Sequence, residues 1–351
     1  MWAPVVHILP SISILRERLL PVPGRVSVRA GQRVNSVDVV AEARCGQGHL
    51  LIDVACLLGM RAEAAQRLIR VKAGDLISQG DGIARRPGLF PRTLRASRSG
   101  QVVLTGAGRI LMEVGETTLE LRAGMPGIVR SEIPDRGVEI AFTGALVQGV
   151  WGNGQMDLGL LPSALPPAEE PLAASQLDVS LRGAVALAGY CDDPSLLQMA
   201  GELPVRGMIL GSMSPGLIPQ ALQMSYPIIV VDGFGQRPMN AAAYRLFTAN
   251  IQAEVTLNAV PFNLQTGVRP EIFIPAQGVQ EAPLPVDVTI LAPEQTVRLW
   301  RNPFGGVIGT IINLRPGLTT MPSGLRTAAA EVKLESGEQI LVPPANLEVV
   351  G

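Results

Sequence analysis

Three short, unbroken apolar runs, residues 184–188, 207–210 and 227–231, are each followed by a segment of helical periodicity, and few folds accommodate that pattern. The helical segments are 194–203, 216–224 and 238–249, and a last strand follows at 254–257. Strands that are apolar on both faces must be covered on both faces, so residues 178–260 are predicted to form a parallel α/β sheet of four strands. In such sheets ligands bind beyond the carboxyl ends of the strands. Here those ends carry Asp192, Asp193, Ser212, Ser214, Asp232 and Gly233, which form the candidate ligand-binding set.

Each of these positions also has a structural reading. Asp193 before Pro194 suits a carboxylate pair with Asp192, and it equally suits a helix cap. The loop Gly211-Ser212-Met213-Ser214-Pro215-Gly216 opens a helix, where backbone amides can hold an anion. Ser214 before Pro215 also fits a cap with proline in the first turn. The loop matches neither Gly-x-Gly-x-x-Gly nor Gly-x-x-x-x-Gly-Lys-Ser/Thr. Cys191 sits at a strand end, but the two histidines, His7 and His49, both lie far upstream. A Cys–His or Ser–His–Asp triad within the α/β region is therefore excluded, and no catalytic or metal-binding residue is assigned. Residues 161–294 hold 5 basic against 12 acidic residues, which favours a small neutral or cationic ligand over a nucleoside triphosphate.

Residues 1–160 carry an internal repeat. Val28-Arg29-Ala30-Gly31 through Asp38 to Ala41 recurs as Val71-Lys72-Ala73-Gly74 through Asp81 to Ala84, 43 residues on. A looser echo, 27 residues apart, links Leu94-Arg95-Ala96…Gly100-Gln101-Val102 with Leu121-Arg122-Ala123…Gly127-Ile128-Val129. Glycine allows the turn between short strands, and the spaced Asp opens the next turn. Between the copies, apolar spacing predicts one helix over about 50–69. The second copy, with Ser99-Gly100-Gln101-Val102-Val103 as its returning strand, resembles the half-motif of biotinyl/lipoyl-type barrel-sandwich hybrids. The resemblance implies one barrel built from two like halves. That family's modified lysine would sit at the hairpin tip, where this chain has Arg85-Arg86-Pro87-Gly88-Leu89-Phe90, so no prosthetic group is expected.

At the carboxyl end, residues 297–314 read as two strands joined by a turn, followed by alternating runs at 330–334, 339–343 and 346–350. Several short strands with tight turns in so few residues predict a small curled barrel over 295–351. Val297-Arg298, Pro303-Phe304 and Gly309 fall where the KOW domain, the SH3-like barrel of NusG-type factors and ribosomal proteins, places its strand start, turn and signature glycine. The segment resembles that family, and Gly309 is assigned a structural role in a strand bend. RNA contacts would then come from Arg298, Arg301, Arg315 and Arg326, with Trp300 and Phe304 either as stacking surfaces or as part of the barrel core. The apolar residues flanking Gly309 depart from the basic flanks of RNA-binding members, which favours a protein partner.

The remaining segments read as a Pro/Ala linker at 161–177 and a Pro-dotted connector at 261–294. Three scattered cysteines give neither a disulfide framework nor a zinc site. The N-terminal stretch is interrupted by Pro4, Pro10 and an Arg16-Glu17-Arg18 cluster, unlike a signal peptide. The chain reads as a multidomain α+β, cytoplasmic protein with no cofactor and no membrane segment. The predicted function is a non-enzymatic interaction or adaptor protein, attached to transcription or translation machinery through its KOW-like segment. The alternatives are an RNA- or ribosome-binding factor and a small-molecule-binding or enzymatic α/β domain.

Overall fold

The first and last strands of the chain lie side by side. In the computed structural model, which describes all residues except 47, 89–90, 116, 164, 264, 277–285, 302 and 305, Trp2–Val6 runs parallel to Leu347–Val350, with Val5 opposite Val349. These strands belong to a curled sheet in the order Val288–Ile290, Trp2–Val6, Leu347–Val350, Thr296–Leu299, Ile308–Thr320, Arg326–Leu334, Gln339–Val342. The barrel predicted over 295–351 is thus not self-contained. Ala3, Val5 and Leu291 enter one core with Val297, Ile311, Val332 and Leu347, covering apolar side chains that 295–351 alone would leave exposed. Gly309 lies within this core, where an added Cβ would stand 2.7 Å from Val332 Cγ1 and 2.8 Å from the Lys333 carbonyl.

The 43-residue echo is a structural duplication. In the first copy the Arg29 amide donates to Gln32 Oε1 (3.1 Å) and the Asn35 amide to Asp38 Oδ2 (2.7 Å). In the second, the Lys72 amide donates to Asp75 Oδ2 and the Ser78 amide to Asp81 Oδ2, both at 2.8 Å. The 27-residue echo belongs to the same duplication. The Ala123 amide donates to the Asp38 carbonyl (2.9 Å) as Ala96 does to Asp81 (2.8 Å), and Val129 donates to Gln32 as Val102 does to Asp75, both at 2.9 Å. Even the strand irregularities match, between Val129 and Ser131 in one copy and between Val102 and Leu104 in the other.

The sheet order repeats too. Ile8–Leu19, Gly137–Gln148, Gly127–Ile133 and Arg33–Val34 in the first unit correspond to Gly48–Asp53, Arg109–Val114, Gly100–Gly106 and Leu76–Ile77 in the second. The two copies do not interleave in one hybrid barrel. Each pairs with its own return strand and fills its own core: Val28, Val34, Val40, Ala123 and Val129 in one, Val71, Ile83, Ala84, Ala96 and Val102 in the other. The second unit is inserted between Val39–Cys45 and Thr117–Arg122 of the first. The single helix predicted over about 50–69 is instead a strand, Gly48–Asp53, followed by the helices Val54–Leu58 and Ala62–Gln66. Asp53 caps the first helix through the Cys56 amide, and Gly59, at φ +63°, ends it.

The duplicates differ in what they show to solvent. On the open face of the second sheet Leu51, Leu111 and Leu104 pair in a row, with Leu51 and Leu104 about three-fifths exposed (58% and 61%). The equivalent row of the first unit is Glu17, Glu139 and Ser131, and the Ser131 hydroxyl donates to Glu139.

Three of the four predicted α/β strands form a parallel sheet: Val185–Cys191, Gly207–Met213 and Ile228–Phe234. Its last neighbour is Trp151–Gly152, antiparallel to Ile228–Phe234. Glu254–Asn258, predicted as the fourth, instead pairs antiparallel with Met156–Leu160 and Glu271–Pro275 in the large sheet of the first β unit. That sheet packs face to face on the parallel one, with Val255, Leu257 and Ile272 meeting Val185, Ile209 and Ile229. Helix Ala241–Ala249 contributes Ala243 and Phe247 to the same cluster, and helix Pro194–Glu202 covers the opposite face. Residues 161–177 are no free linker: Leu161, Leu172 and Leu177 are buried, and the Leu172 amide donates to the Tyr190 carbonyl. The connector 261–294 likewise supplies two strands, Glu271–Pro275 and Val288–Ile290.

Gly309→Val should lower stability by about 1–3 kcal/mol through overpacking, read as a shifted urea midpoint. Gly100 and Gly127 occupy equivalent places, where a Cβ would stand 2.1 Å from the Glu113 carbonyl and 2.3 Å from the Ala141 carbonyl. Gly100→Ala and Gly127→Ala should each destabilise the chain. Because the cores are separate, the double variant should show the sum of the two effects to within about 0.5 kcal/mol.

Candidate functional site

The parallel strands end where predicted, but the side chains there divide into two groups. Asp193 caps helix Pro194–Glu202, accepting from the Ser195 amide (2.8 Å) and hydroxyl (2.7 Å), and these bonds hold its carboxyl below the usual range. Asp192 is exposed and accepts from Gln236 Nε2 (2.7 Å). Ser212 is fully buried: its hydroxyl accepts from the Arg237 amide (2.9 Å) and lies 2.8 Å from the Arg237 carbonyl, pinning the loop after the third strand. Ser214 precedes the short turn Pro215–Leu217 and makes no side-chain cap, contrary to the capping reading. Burial pushes the Cys191 thiol up to about 11, so it stays protonated at neutral pH. None of these residues lines the pocket at the strand ends.

Asp232 and Gly233 do converge, with residues brought from elsewhere. They line a pocket of about 330 Å³ together with Phe234, Phe262, Arg269, Arg298, Trp300 and Glu348. Two candidate sets that are separate in sequence, the α/β strand ends and the Arg298–Trp300 strand, therefore meet in one cavity. Thr296–Leu299 and Leu347–Val350 are neighbours in the curled sheet, which sets Arg298 opposite Glu348.

Arg298 is 3% exposed, so it is not the surface phosphate contact suggested by its place in the sequence. Its Nη2 donates to Glu348 Oε2 (2.6 Å), and its Nη1 donates to the Val231 carbonyl (2.7 Å) and lies 3.6 Å from Asp232 Oδ1. Arg269, from the connector, donates through Nη2 to Glu348 Oε1 (2.5 Å) and stacks over the Phe262 ring at 4.7 Å. Asp232 in turn accepts from the Asn240 amide (2.8 Å) and from Asn240 Nδ2 (2.7 Å). Burial pushes the Asp232 carboxyl above its usual range, opposed by Arg298 and by the Asn240 donors. Removing one partner from a buried charge pair of this kind costs about 3–5 kcal/mol, because the other charge is stranded. One donor remains unused: Arg269 Nη1 is buried with no hydrogen-bond partner among the described residues.

The other predicted arginines, Arg301, Arg315 and Arg326, do not line this pocket. Arg315 is ion-paired to Glu331 (2.6 Å), and Arg326 stands exposed at the start of the next strand. Arg301 is exposed next to Trp300, which is 47% exposed at the pocket wall.

A denser basic feature escaped the sequence reading. Gly82–Arg86 and Arg92–Arg95 form a two-stranded ribbon of their own, with Arg86 opposite Arg92. Arg85, Arg86, Arg92, Arg95 and Arg98 are exposed, and none has a carboxylate partner among the described residues. Among the described residues, Arg86 and Arg95 bond only to backbone carbonyls, those of Leu58 and Gly80. The available signal was an acid-free stretch: residues 82–112 contain six arginines and no Asp or Glu. It is diluted when charge is summed over 1–160, where 19 basic residues face 14 acidic ones. The tip of this ribbon, where the barrel-sandwich resemblance would place a lysine, includes residues 89–90, which lie outside the described residues. No protein-family model and no curated protein matches this sequence.

Proposed function

We propose that this chain is a non-enzymatic interaction protein that holds a nucleic-acid-containing partner, RNA above all, through the arginine ribbon of its second β unit. The observation that carries this reading is the divergence of the two duplicates. The strands Val39–Cys45 and Thr117–Arg122 of the first unit mix Glu42 and Glu120 with Arg44 and Arg122. Their counterparts in the second unit hold arginine alone. Like charges directly opposite each other in an antiparallel pair are destabilising. A ribbon that keeps Arg86 against Arg92, with no carboxylate paired to either among the described residues, is suited to counter-charge from outside, and a phosphate backbone supplies it.

In this reading the sequence resemblance of residues 295–351 to KOW domains, and of the second repeat copy to barrel-sandwich hybrids lacking the modified lysine, fits an adaptor of the transcription or translation machinery. The strand-end residues fit a binding protein better than an enzyme, because Ser212 and Asp193 are committed to loop and cap bonds and the Cys191 thiol is protonated. A protein-binding adaptor is the second reading. The Leu51–Leu111–Leu104 row, exposed at Leu51 and Leu104 and polar in the first unit, favours it.

Fluorescence anisotropy with a mixed-sequence single-stranded RNA tests the proposal. Each phosphate contact adds about 0.7 to the log–log salt slope on a single strand, so exchanging Arg85, Arg86 and Arg92 for Ser should flatten the slope by about 2 and weaken binding at about 50 mM salt at least tenfold. Wild-type protein without saturable RNA binding at that salt would overturn it. If a partner is instead retained after nuclease treatment and lost in Leu51→Glu/Leu104→Glu, the protein-binding reading replaces it.

A further inference from the structure

An unpaired sheet edge is a template for another chain, and natural sheets blunt such edges with charge, proline or brevity. The sheet of the second unit has two edges. Leu76–Ile77 is only two residues long. Gly48–Asp53 has six residues, pairs only with Arg109–Val114 among the described residues, and contains no Lys, Arg or Pro. The duplicate supplies the comparison. In Ile8–Leu19 the first unit has Arg16, Glu17 and Arg18 where the second has Leu50, Leu51 and Ile52. Three charges blunt the one edge, and its counterpart lacks them.

The geometry of the ladder shows which groups this edge presents. Gly106 and Arg109 close a two-residue turn, with Ala107 at φ +49° and Gly108 at φ +73°, so these two residues bond to each other. Alternation along the strand then turns Ile110, Met112 and Val114 toward Ile52, Leu50 and Gly48. The amides and carbonyls of His49 and Leu51 are left directed away from the sheet. Ile52, Ile110 and Met112 fill the core, so the side chains of His49, Leu51 and Asp53 lie on the open face with Glu113, Leu111 and Arg109.

This edge is complementary to itself. In an antiparallel pair of two such strands centred on Leu51, Leu51 meets Leu51, Leu50 meets Ile52, and His49 meets Asp53 of the other molecule. The leucine row then runs unbroken across the junction. An imidazole donates to a carboxylate, and the Asp53 carboxylate is already oriented by Arg109 Nε and the Cys56 amide, both at 2.9 Å. Sliding the pair by two residues sets Leu51 against His49 or Asp53 and loses both matches.

We infer that the chain forms a two-fold dimer by antiparallel pairing of Gly48–Asp53 with the same strand of a second molecule. The two-fold axis uses up both edges, so the assembly closes at two. Ile83 and Ala84 of the arginine ribbon pack on the inner face of the sheet, which places the ribbon on the other side from the leucine row. The dimer does not rest on the RNA reading. It assigns to self-association the row that a protein-binding adaptor would offer to a different partner.

Analytical ultracentrifugation of the nuclease-treated full chain tests this, from about 1 to 200 μM, with a monomer–dimer equilibrium of Kd below about 100 μM expected. Leu51→Glu restores the acid that the first unit has at this position and should raise that Kd at least about tenfold, because two carboxylates then face each other across the axis. His49→Asp should raise it about fivefold, since the contact with Asp53 occurs twice per dimer, whereas His49→Lys should preserve the dimer. Exchanging Arg85, Arg86 and Arg92 for Ser should leave it unchanged. Leu51 and His49 are exposed, so the melting temperature of each dilute variant should stay near that of the wild type. Should Leu51→Glu not fold, the two His49 variants carry the test. Three results would each overturn the inference: a monomer throughout the range, which gives the row to a different protein; a Kd unmoved by Leu51→Glu; or equal weakening by His49→Lys and His49→Asp.

Discussion

Glu348 is the residue on which the assembly turns. Its side chain is fully buried, and each of its oxygens takes a guanidinium from a different part of the chain, Arg298 from the curled sheet and Arg269 from the connector. Arg298 then reaches the end of the third parallel strand through the Val231 carbonyl and Asp232. Burying charge is costly, and a hydrophobic replacement of the same shape often does as well for stability alone. A directional network, in contrast, fixes how three packed elements are set against one another. A cavity of about 330 Å³ lies beside this network.

The duplication shows a different economy. Both copies keep the bonds that define the unit, namely the amide-to-carboxylate or amide-to-carboxamide turns, the return strand and the irregularity before Ser131 and Leu104. They differ where the backbone is indifferent to the side chain, on the open face and along the two outer strands. The first copy is tied into the rest of the molecule, since Gly137–Gln148 continues past the unit to pair with Glu271–Pro275 and the core shares Phe273. The second copy, held at both ends by the first, is free to carry charge and apolar surface.

Local features were legible in the sequence, and partner choice was not. Unbroken apolar runs identified the three parallel strands because their residues alternate between two buried faces. Glu254–Asn258 was misassigned for the same reason: a strand buried on both faces in an antiparallel sheet looks no different. The helix over 50–69 failed because Leu50 and Ile52 alternate as a strand before Asp53 caps a short helix that Gly59 ends. The pocket could be read only in halves. Asp232 and Arg298 were both singled out, but 66 positions separate them, and the pairing depends on Glu348, which carries no local signal. Arg269 sat unremarked in a proline-dotted connector. The ribbon was visible as composition and became a surface only once its two strands were paired.

The neighbouring first and last strands have a consequence for synthesis. A ribosome working at about 5–20 residues per second makes Leu347–Val350 roughly 20–70 s after Trp2–Val6 has been made. During that time Val5 and Val6 lack the parallel neighbour that covers them in the finished molecule. The strand Trp2–Val6 therefore waits for Leu347–Val350 before its pairing in the curled sheet is complete. The curled sheet can be completed only after the duplicated units and the α/β layer have already been made.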